Sequence, residues 1–510
     1  MKKKRTTTVW KAALMKAVFT LAACILGMQT AWADADSGSS STLSAPDSWS
    51  VTKSEPDHYF DGGDGTQNSP YLISSAQALA DLAWFVNDGN KFEGKYFKMT
   101  KDLKLNSFTF ANDTIASTTG QVQEWVPIGK YGSWKNKYFE GIFDGNGHKI
   151  EGLLVNVTTY DYGGLFGCID DAIIRNLTID QSFLFAEHRN MRKGVCAYGM
   201  LVGYLSDSQL YECHVKNSVI NGTKYKFDRA TSFQSDQENF GGLVGQGSGD
   251  MTLRYCSFSK NTIKIAYYGG TLSVAGMMAD GDATYNKCKV DNTAIKCKFM
   301  KYNESDFWSD SSNEACFSGF CYEAKDITDC PCNVSFDMDD PGQKDEKWKK
   351  WTQRLRVNSF CYEAKNMSRC SSFSSVVYKN YVYSITEGSP SNKTGISNVS
   401  YAESITDCAF YTKADFSQLK LIDYEKGYYC FKFYPLGLDK KNSISKVNRV
   451  VVLDDENSLI KPTGEPDLIK KVDNYMPSSE TLYRGGISEL ENNYYLGRLN
   501  NPTALTTVWG

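Results

Sequence analysis

The sequence predicts an all-β protein, a right-handed parallel β-helix (solenoid) with an N-terminal capping helix. Three observations predict it. The 510 residues hold 41 Gly, 31 Tyr and 27 Phe but only 12 Pro, a turn-rich, aromatic composition with few helix-favouring runs. A short-strand template recurs at variable intervals through the middle of the chain. Cysteine returns at one place in that template, where stacked coils would superpose it. At 41% hydrophobic and 23% charged the composition is globular, which argues against long disorder, collagen and a multi-span membrane protein.

Residues 1–33 read as a secretory signal peptide. Lys2, Lys3, Lys4, Arg5, Lys11 and Lys16 precede an apolar run from Ala17 to Met28, and Ala31-Trp32-Ala33 places small residues where a signal peptidase cuts. Cleavage between Ala33 and Asp34 removes six basic residues, leaving 50 against 59 acids, a net charge of −9. Such a chain has no basic footprint for nucleic acid. The run of about a dozen apolar residues is too short to span a bilayer, which needs about 20, and no later segment is a transmembrane candidate. A rival reading lies inside the signal. Leu21-Ala22-Ala23-Cys24 has the form of a lipobox, which would make Cys24 the lipidated N-terminus of an outer-membrane lipoprotein, although the apolar Ile25-Leu26-Gly27-Met28 beyond it suits more signal core. Residues 34–55, rich in Ser, Asp and Ala, read as a flexible linker.

Residues 56–160 read as the cap and first coils. After the turn Asp61–Thr66, Tyr71-Leu72-Ile73 is a strand, and Ser74 or Ser75 caps a helix from Ala76 to about Val86. Leu79, Leu82, Ala83 and Val86 recur there at helical spacing, and Asp88-Gly89 ends it. The open end of a β-stack needs such a cover.

Residues 161–410 read as the repeats. Ile174-Arg175-Asn176-Leu177-Thr178-Ile179 sets a template whose apolar positions return at Leu210-x-x-Cys213, Leu253-x-x-Cys256, Tyr285-x-x-Cys288, Ile327-x-x-Cys330, Met367-x-x-Cys370 and Ile405-x-x-Cys408. The intervals run from 32 to 43 residues, so strands are constant and loops absorb the difference. A glycine element precedes each: Gly164-Leu165-Phe166-Gly167, Met200-Leu201-Val202-Gly203 and Gly242-Leu243-Val244-Gly245. It fades through Ser273-Val274-Ala275-Gly276 and Cys316-Phe317-Ser318-Gly319 to Val357-Asn358-Ser359-Phe360. Residues 320–325 and 360–365 both read Phe-Cys-Tyr-Glu-Ala-Lys. Residues 411–510 form a C-terminal β-rich region in which no repeat can be registered, and the chain stops at Trp509-Gly510 without a sorting domain, as a fragment would.

The template predicts one inner column of Leu177, Cys213, Cys256, Cys288, Cys330, Cys370 and Cys408. Many cysteines in an exported protein ordinarily signal disulfides. Parallel side chains one strand apart, at about 4.8 Å, hold Cβ atoms beyond the mean disulfide separation of about 3.8 Å. The ladder cysteines therefore read as buried filler. Cys196, Cys297, Cys316, Cys332 and Cys430 remain candidates for loop bridges. Cys330-x-Cys332 has the wrong spacing for structural zinc.

Taken together, Tyr71-Leu72-Ile73 with its helix, Trp125-Val126-Pro127-Ile128-Gly129, Phe143-Asp144-Gly145-Asn146-Gly147-His148 and the Gly-Leu-Val-Gly elements resemble GLUG-motif repeat proteins of Bacteroidetes and other bacteria. The resemblance covers about residues 56–410. It implies an exported β-helix on the cell surface, associated with adhesion or with large secreted proteins of the IgA-protease kind.

Parallel β-helices also include polysaccharide lyases and hydrolases, so carboxylates near a base matter. Asp144, His148, Asp170, Asp171 and Arg175 are the candidates, each with a turn or loop role as the plainer reading. Asp337-Met338-Asp339-Asp340 could hold Ca²⁺, but Pro341 and Trp348 fall where an EF-hand needs oxygen ligands. The expectation is a non-catalytic, adhesin-like protein that binds glycans or cell-surface proteins and needs no cofactor. Trp308, Trp348, Trp351 and Tyr362 are its candidate stacking surfaces. The alternative is a polysaccharide lyase or glycoside hydrolase.

Overall fold

The computed structural model describes residues 46–52, 60–131, 136–157, 161–187, 195–224, 237–300, 313–340, 353–382, 394–421, 431–437, 443–453, 458–462, 469–471 and 482–485. The signal peptide with Ala33 and Asp34, the lipobox Cys24, most of the linker, and Trp308, Trp348, Trp351 and Cys430 lie outside these residues. The described chain is a parallel β-solenoid with one helix, α1 (Ala76–Asp88). Among the described residues no helix is long and apolar enough to cross a membrane.

Helix α1 forms where its caps are supplied. The Ser75 hydroxyl accepts from the Ala78 N–H at 3.1 Å, and Gly89 closes the helix in the left-handed region at φ 115°. Leu79, Leu82, Ala83 and Val86 are buried in the same core as Ile73, Phe97 and Phe139 of the first coils.

Eleven strands then pair in parallel succession, from Tyr71–Ile73 through Ile173–Asp180 and Gln209–Lys216 to Ile444–Asn448. Their inward residues Phe143, Ile174, Leu210, Leu253, Tyr285, Ile327, Met367 and Ile405 follow one another, each at most 1% exposed. The stack does not stop at residue 410. Ile405 pairs with Val447 and Ala409 with Val451, which puts Val450 at the place that cysteine holds in the preceding coils. The repeat is hard to register there because a β-branched apolar residue replaces the cysteine that marks it.

Each coil turns a corner immediately before that place. Asn176, Glu212, Tyr255, Lys287, Asp329, Arg369, Asp407 and Arg449 all adopt left-handed backbone, with φ between 49° and 57°. Each non-glycine residue held there costs about 1–2 kcal/mol, so the column survives only because pairing with adjacent coils imposes it. A second such corner, at Gln181, Asn217, Lys260 and Asn292, precedes a buried polar column of Ser182, Ser218, Asn261 and Thr293. The Ser182 N–H donates to the Ser218 hydroxyl at 3.0 Å, and the Ser218 N–H to the Asn261 side-chain oxygen at 2.8 Å.

The glycine element follows a different register from the one read in the sequence. Phe166, Val202, Val244 and Met278 pair in a separate four-stranded sheet. The fourth copy is therefore Gly276-Met277-Met278-Ala279, and the next two are 319–322 and 359–362. The expected copies ending at Gly276 and Gly319 belong to the preceding strands, Thr271–Ala275 and Asn313–Ser318. Gly276 and Gly319 hold the place of the element's first glycine, where the sequence pattern alone aligns them with the second. The second glycine exists for close approach: a Cβ on Gly245 would lie 2.4 Å from the Tyr198 amide nitrogen. Ala279, Tyr322 and Tyr362 take its place in later coils.

A hairpin of Ser107–Ala111 and Thr114–Thr119 lies along the outside as a strap. Phe108 packs with Phe183 and Val219, and Lys296 pairs with Asp113 at its tip, at 2.7 Å.

Candidate functional site: a lateral carboxylate groove

Throughout most of the stack, charges on adjacent coils neutralise each other. Asp144 pairs with Arg175 at 2.9 Å, Glu151 with Lys104 at 3.0 Å, Asp329 with Arg369 at 2.6 Å, and Asp407 with Arg449. Two of the enzyme candidates are thus brought together, and for a structural purpose. Asp144 also accepts from the Asn176 side chain and from the Asn146 N–H, which closes its turn. His148 instead faces Asp102 at 3.0 Å. Asp170 ends the strand Phe166–Asp170, and Asp171 forms the exposed left-handed corner after it, at φ 48°. The five residues do not converge on one pair of facing carboxylates.

The Asp337 segment is part of the strand Pro331–Asp340 rather than a loop, and Asp337 accepts from Lys379 at 2.9 Å. Among the described residues no group of three or more His, Cys, Asp or Glu side chains is placed to hold a metal ion.

The cysteines lie inside. Leu177 pairs with Cys213, and flanking pairs at constant offset set Cys256, Cys288, Cys330, Cys370 and Cys408 in the following coils. All six thiols are buried and free. They make hydrogen bonds at the corner. The Cys288 N–H meets Cys330 Sγ at 3.3 Å and the Cys370 N–H meets Cys408 Sγ at 3.4 Å. Cys330 Sγ in turn donates to the Thr328 carbonyl at 3.2 Å. This is the pattern that serine makes at the second corner, where Ser218 Oγ donates to the Lys216 carbonyl. Burial pushes the Cys213, Cys256, Cys330 and Cys408 thiols up, so they stay protonated. Cys196, Cys297, Cys316 and Cys332, expected in loops, are buried in strands.

Acid stacks on acid at Glu151 and Asp180, where Lys104, Lys149 and Lys216 surround the pair, and again on the outer face of the two Phe-Cys-Tyr-Glu-Ala-Lys copies. Their residues superpose: Cys321 pairs with Cys361, Glu323 with Glu363 and Ala324 with Ala364. Phe320 and Phe360 are buried and stack at 5.0 Å, while Tyr322 and Tyr362 stack outside at 4.9 Å, both pairs within 10° of parallel. Asp282 of the preceding coil pairs in register with Glu323, so Asp282, Glu323 and Glu363 form a column. With Glu403 they line a groove of about 640 Å³ that also holds Tyr362, Tyr401 and Lys365. None of the four carboxylates, nor Lys365, makes an ion pair or side-chain hydrogen bond among the described residues. Partial burial, then Asp280, Glu363 and Asp282 around it, raises the Glu323 carboxyl to about 7. Burial raises Asp280 as well, although the Gln246, Asn239 and Gln237 amides all donate to it.

Tyr362 is on the groove, but its ring faces are occupied. Tyr322 covers one, and the Arg356 guanidinium sits 4.9 Å from the ring centroid and donates to the hydroxyl. Tyr401 meets it edge-on at 5.3 Å. Tyrosine here offers edges and hydroxyls to a ligand. A smaller pocket of about 330 Å³ lies at the cap between Trp49, Trp84 and Trp125.

No family model matches the chain. Over 129 residues, a quarter of its length, it is 31% identical to a protein of Evansella cellulosilytica named "Putative Gly-rich membrane protein", and the match spans 13% of that protein. Over 121 residues, 24% of this chain, it is 32% identical to "Halomucin" of Haloquadratum walsbyi, of which the match spans 1%. The chain thus covers only a small part of these relatives. Among solved structures, a Bacteroides ovatus protein described as "a putative immunoglobulin A1 protease" aligns with 74% of this chain and 87% of its own, at a TM-score of 0.37 and 15% identity.

Proposed function

We propose that the protein is an exported, GLUG-type solenoid that acts without catalysis, as a rigid adhesin-like binder of glycans or cell-surface proteins. The lateral groove is its binding surface. The observation that carries this is the contrast in charge. A stack that pairs Asp144, Glu151, Asp329 and Asp407 with bases leaves four carboxylates without an ion pair among the described residues along one groove, and unneutralised groups of this kind are characteristic of binding sites. The secretory start of the sequence and the stiffness of a solenoid support display outside the cell.

One observation favours the second reading, a glycoside hydrolase. Glu323 and Glu363 sit one strand apart, about 4.8 Å between backbones, and retaining glycosidases hold their carboxyls about 5–5.5 Å apart. A carboxyl near 7 beside a second acid also has the makings of a general acid. A screen of neutral, acidic and amino polysaccharides separates the two readings. The binding reading expects retention of one or more polysaccharides without new reducing or unsaturated ends; release of such ends, lost in Glu323→Gln, establishes the enzyme.

A further inference from the structure

We infer that the hairpin along the outside is a strap that makes the first coils open as one unit, with an electrostatic latch at its tip. In a solenoid each coil touches mainly its neighbours, so an end coil can open by itself. The hairpin departs from that rule. It emerges directly after the short strand Leu103–Lys104. Leu103, Ile150, Ile179, Val215, Phe258 and Val290 pair in succession, so Val290 lies five coils further on. At the hairpin tip Asp113 meets Lys296, on the same strand as Val290, at 2.7 Å and across 183 residues of sequence.

The length of the hairpin fits this span. From Asn106 to Asp113 the chain advances seven residues, about 24 Å at the antiparallel rise, and five coils at the strand spacing also come to about 24 Å. Asn112 and Asp113 are both left-handed, at φ 53° and 61°, which turns the hairpin tightly. Its attachments change in kind along its length. At the base the Asn106 side chain donates to the Gly152 carbonyl at 2.8 Å and exchanges two hydrogen bonds with the Gln123 backbone, which holds the two legs together. In the middle Gln181 donates to the Phe108 carbonyl at 2.9 Å. There Phe108 and Phe110 pack with Leu154, Phe183, Phe185 and Val219 in an apolar cluster separate from the main core.

Beyond Val219 the outward positions turn polar. Val219 pairs with Thr262 and Thr262 with Ala294, while Asn221 pairs with Lys264 and Lys264 with Lys296. The tip is accordingly held by the two lysines. Lys264 donates to the Asn112 carbonyl at 3.3 Å, and Lys296 pairs with the Asp113 carboxylate. Opening the first coil alone would strip Phe108 and Phe110 from the coils of Phe183 and Val219 and pull Asp113 from Lys296. Opening a coil in between would take away the surface on which the strap sits. The coils from Leu103 to Phe299 therefore share one opening event, and the Asp113–Lys296 pair holds it shut.

Native-state hydrogen exchange of the intact protein in low denaturant, followed peptide by peptide by mass spectrometry, tests this. In wild type the strands within 96–104, 149–156, 209–216 and 289–299 are expected to exchange in step. Asp113→Lys sets the tip against Lys264 and Lys296, and the strands within 96–104 and 149–156 should then exchange several-fold faster than 289–299. Asp113→Lys combined with Lys296→Asp restores an opposite-charge pair and brings the strands back into step, a rescue that general damage to the fold would not show. Phe110→Ala loosens the middle of the strap and should split the strands as Asp113→Lys does. Wild-type exchange already graded coil by coil from the N-terminal end overturns the strap. Splitting by Phe110→Ala with none by Asp113→Lys overturns the latch and leaves the strap standing, as does a charge-swapped protein that remains split. Exchange that stays in step in every variant overturns both.

Discussion

Residues 161–280 and 313–410 follow one template and build different surfaces. In the earlier coils the second glycine, Gly167, Gly203 or Gly245, lets a strand lie against backbone of the neighbouring element, and that strand belongs to its own four-stranded sheet. Cys196–Gly199, Val202–Ser206 and Gln209–Lys216 are three strands with corners between them. In the later coils Tyr322 and Tyr362 occupy the glycine's place, the separate sheet ends, and Gln353–Ser368 runs as one strand of 16 residues. The groove opens on this face. Glycine or alanine at this position goes with a separate strand in the four-stranded sheet, and tyrosine with a continuous strand that presents a ring and a carboxylate on the outer face.

The strongest way to break this comparison is to exchange the position. Gly245→Val puts a side chain where backbone already lies 2.4 Å from the Cβ site, and the expected loss is about 3 kcal/mol or more, or failure to fold. Tyr362→Gly removes one stacked ring from a surface column and should cost only about 1–2 kcal/mol. Denaturant unfolding of the two variants measures the contrast, and equal losses would remove the claim that the two regions differ in closure.

The cysteine column comes next. Cys330→Asp buries an uncompensated charge, with an expected loss of about 3–5 kcal/mol. Cys330→Ser keeps a partner for the Cys288 N–H and should cost about 1 kcal/mol. Cys330→Val leaves that N–H unsatisfied, at about 1–3 kcal/mol. A chemical melt in which valine is tolerated better than serine would return these residues to simple filler. Thiol titration of the unfolded, non-reduced protein is expected to find the six ladder thiols free.

A smaller effect sharpens the electrostatic contrast. A carboxyl raised from its ordinary value near 4.5 to about 7 on folding binds more protons in the folded than in the unfolded state between those values. Stability from Glu323 therefore falls as pH rises through that window, and Glu323→Gln should be the more stable protein above it. Melting temperatures on either side of neutrality read this out. Arg369→Ala, which breaks a partly exposed pair with Asp329, should cost about 0.5–1 kcal/mol, the smallest change of the series.

These residues also show what a sequence displays. The fold class was legible because it rests on repetition of residue type: apolar Ile174, Leu210 and Leu253 recur, and α1 carries its own caps in Ser75 and Gly89. The left-handed corners were not, since Glu212, Tyr255, Lys287 and Arg369 share a conformation imposed by the coils above and below rather than by any preference of their own. The register of the glycine element was lost because Gly276 and Gly319 resemble its second glycine and occupy its first. The groove was half legible. Tyr322-Glu323 and Tyr362-Glu363 stand out as copies, but Asp282 joins them only across a strand irregularity after Ala283, which no spacing rule anticipates. The stacking expected of Tyr362 also depended on knowing that Tyr322 and Arg356 already cover its ring.

The central claim is that the groove binds and does not cut. A glycan array probed with the intact protein and with Glu323→Gln/Glu363→Gln, each hit then incubated with wild type and assayed for reducing and unsaturated ends, tests it most directly. The account predicts hits that the double variant loses and that wild type leaves uncleaved. Hits retained in full by the double variant, or ends released by wild type, would contradict it.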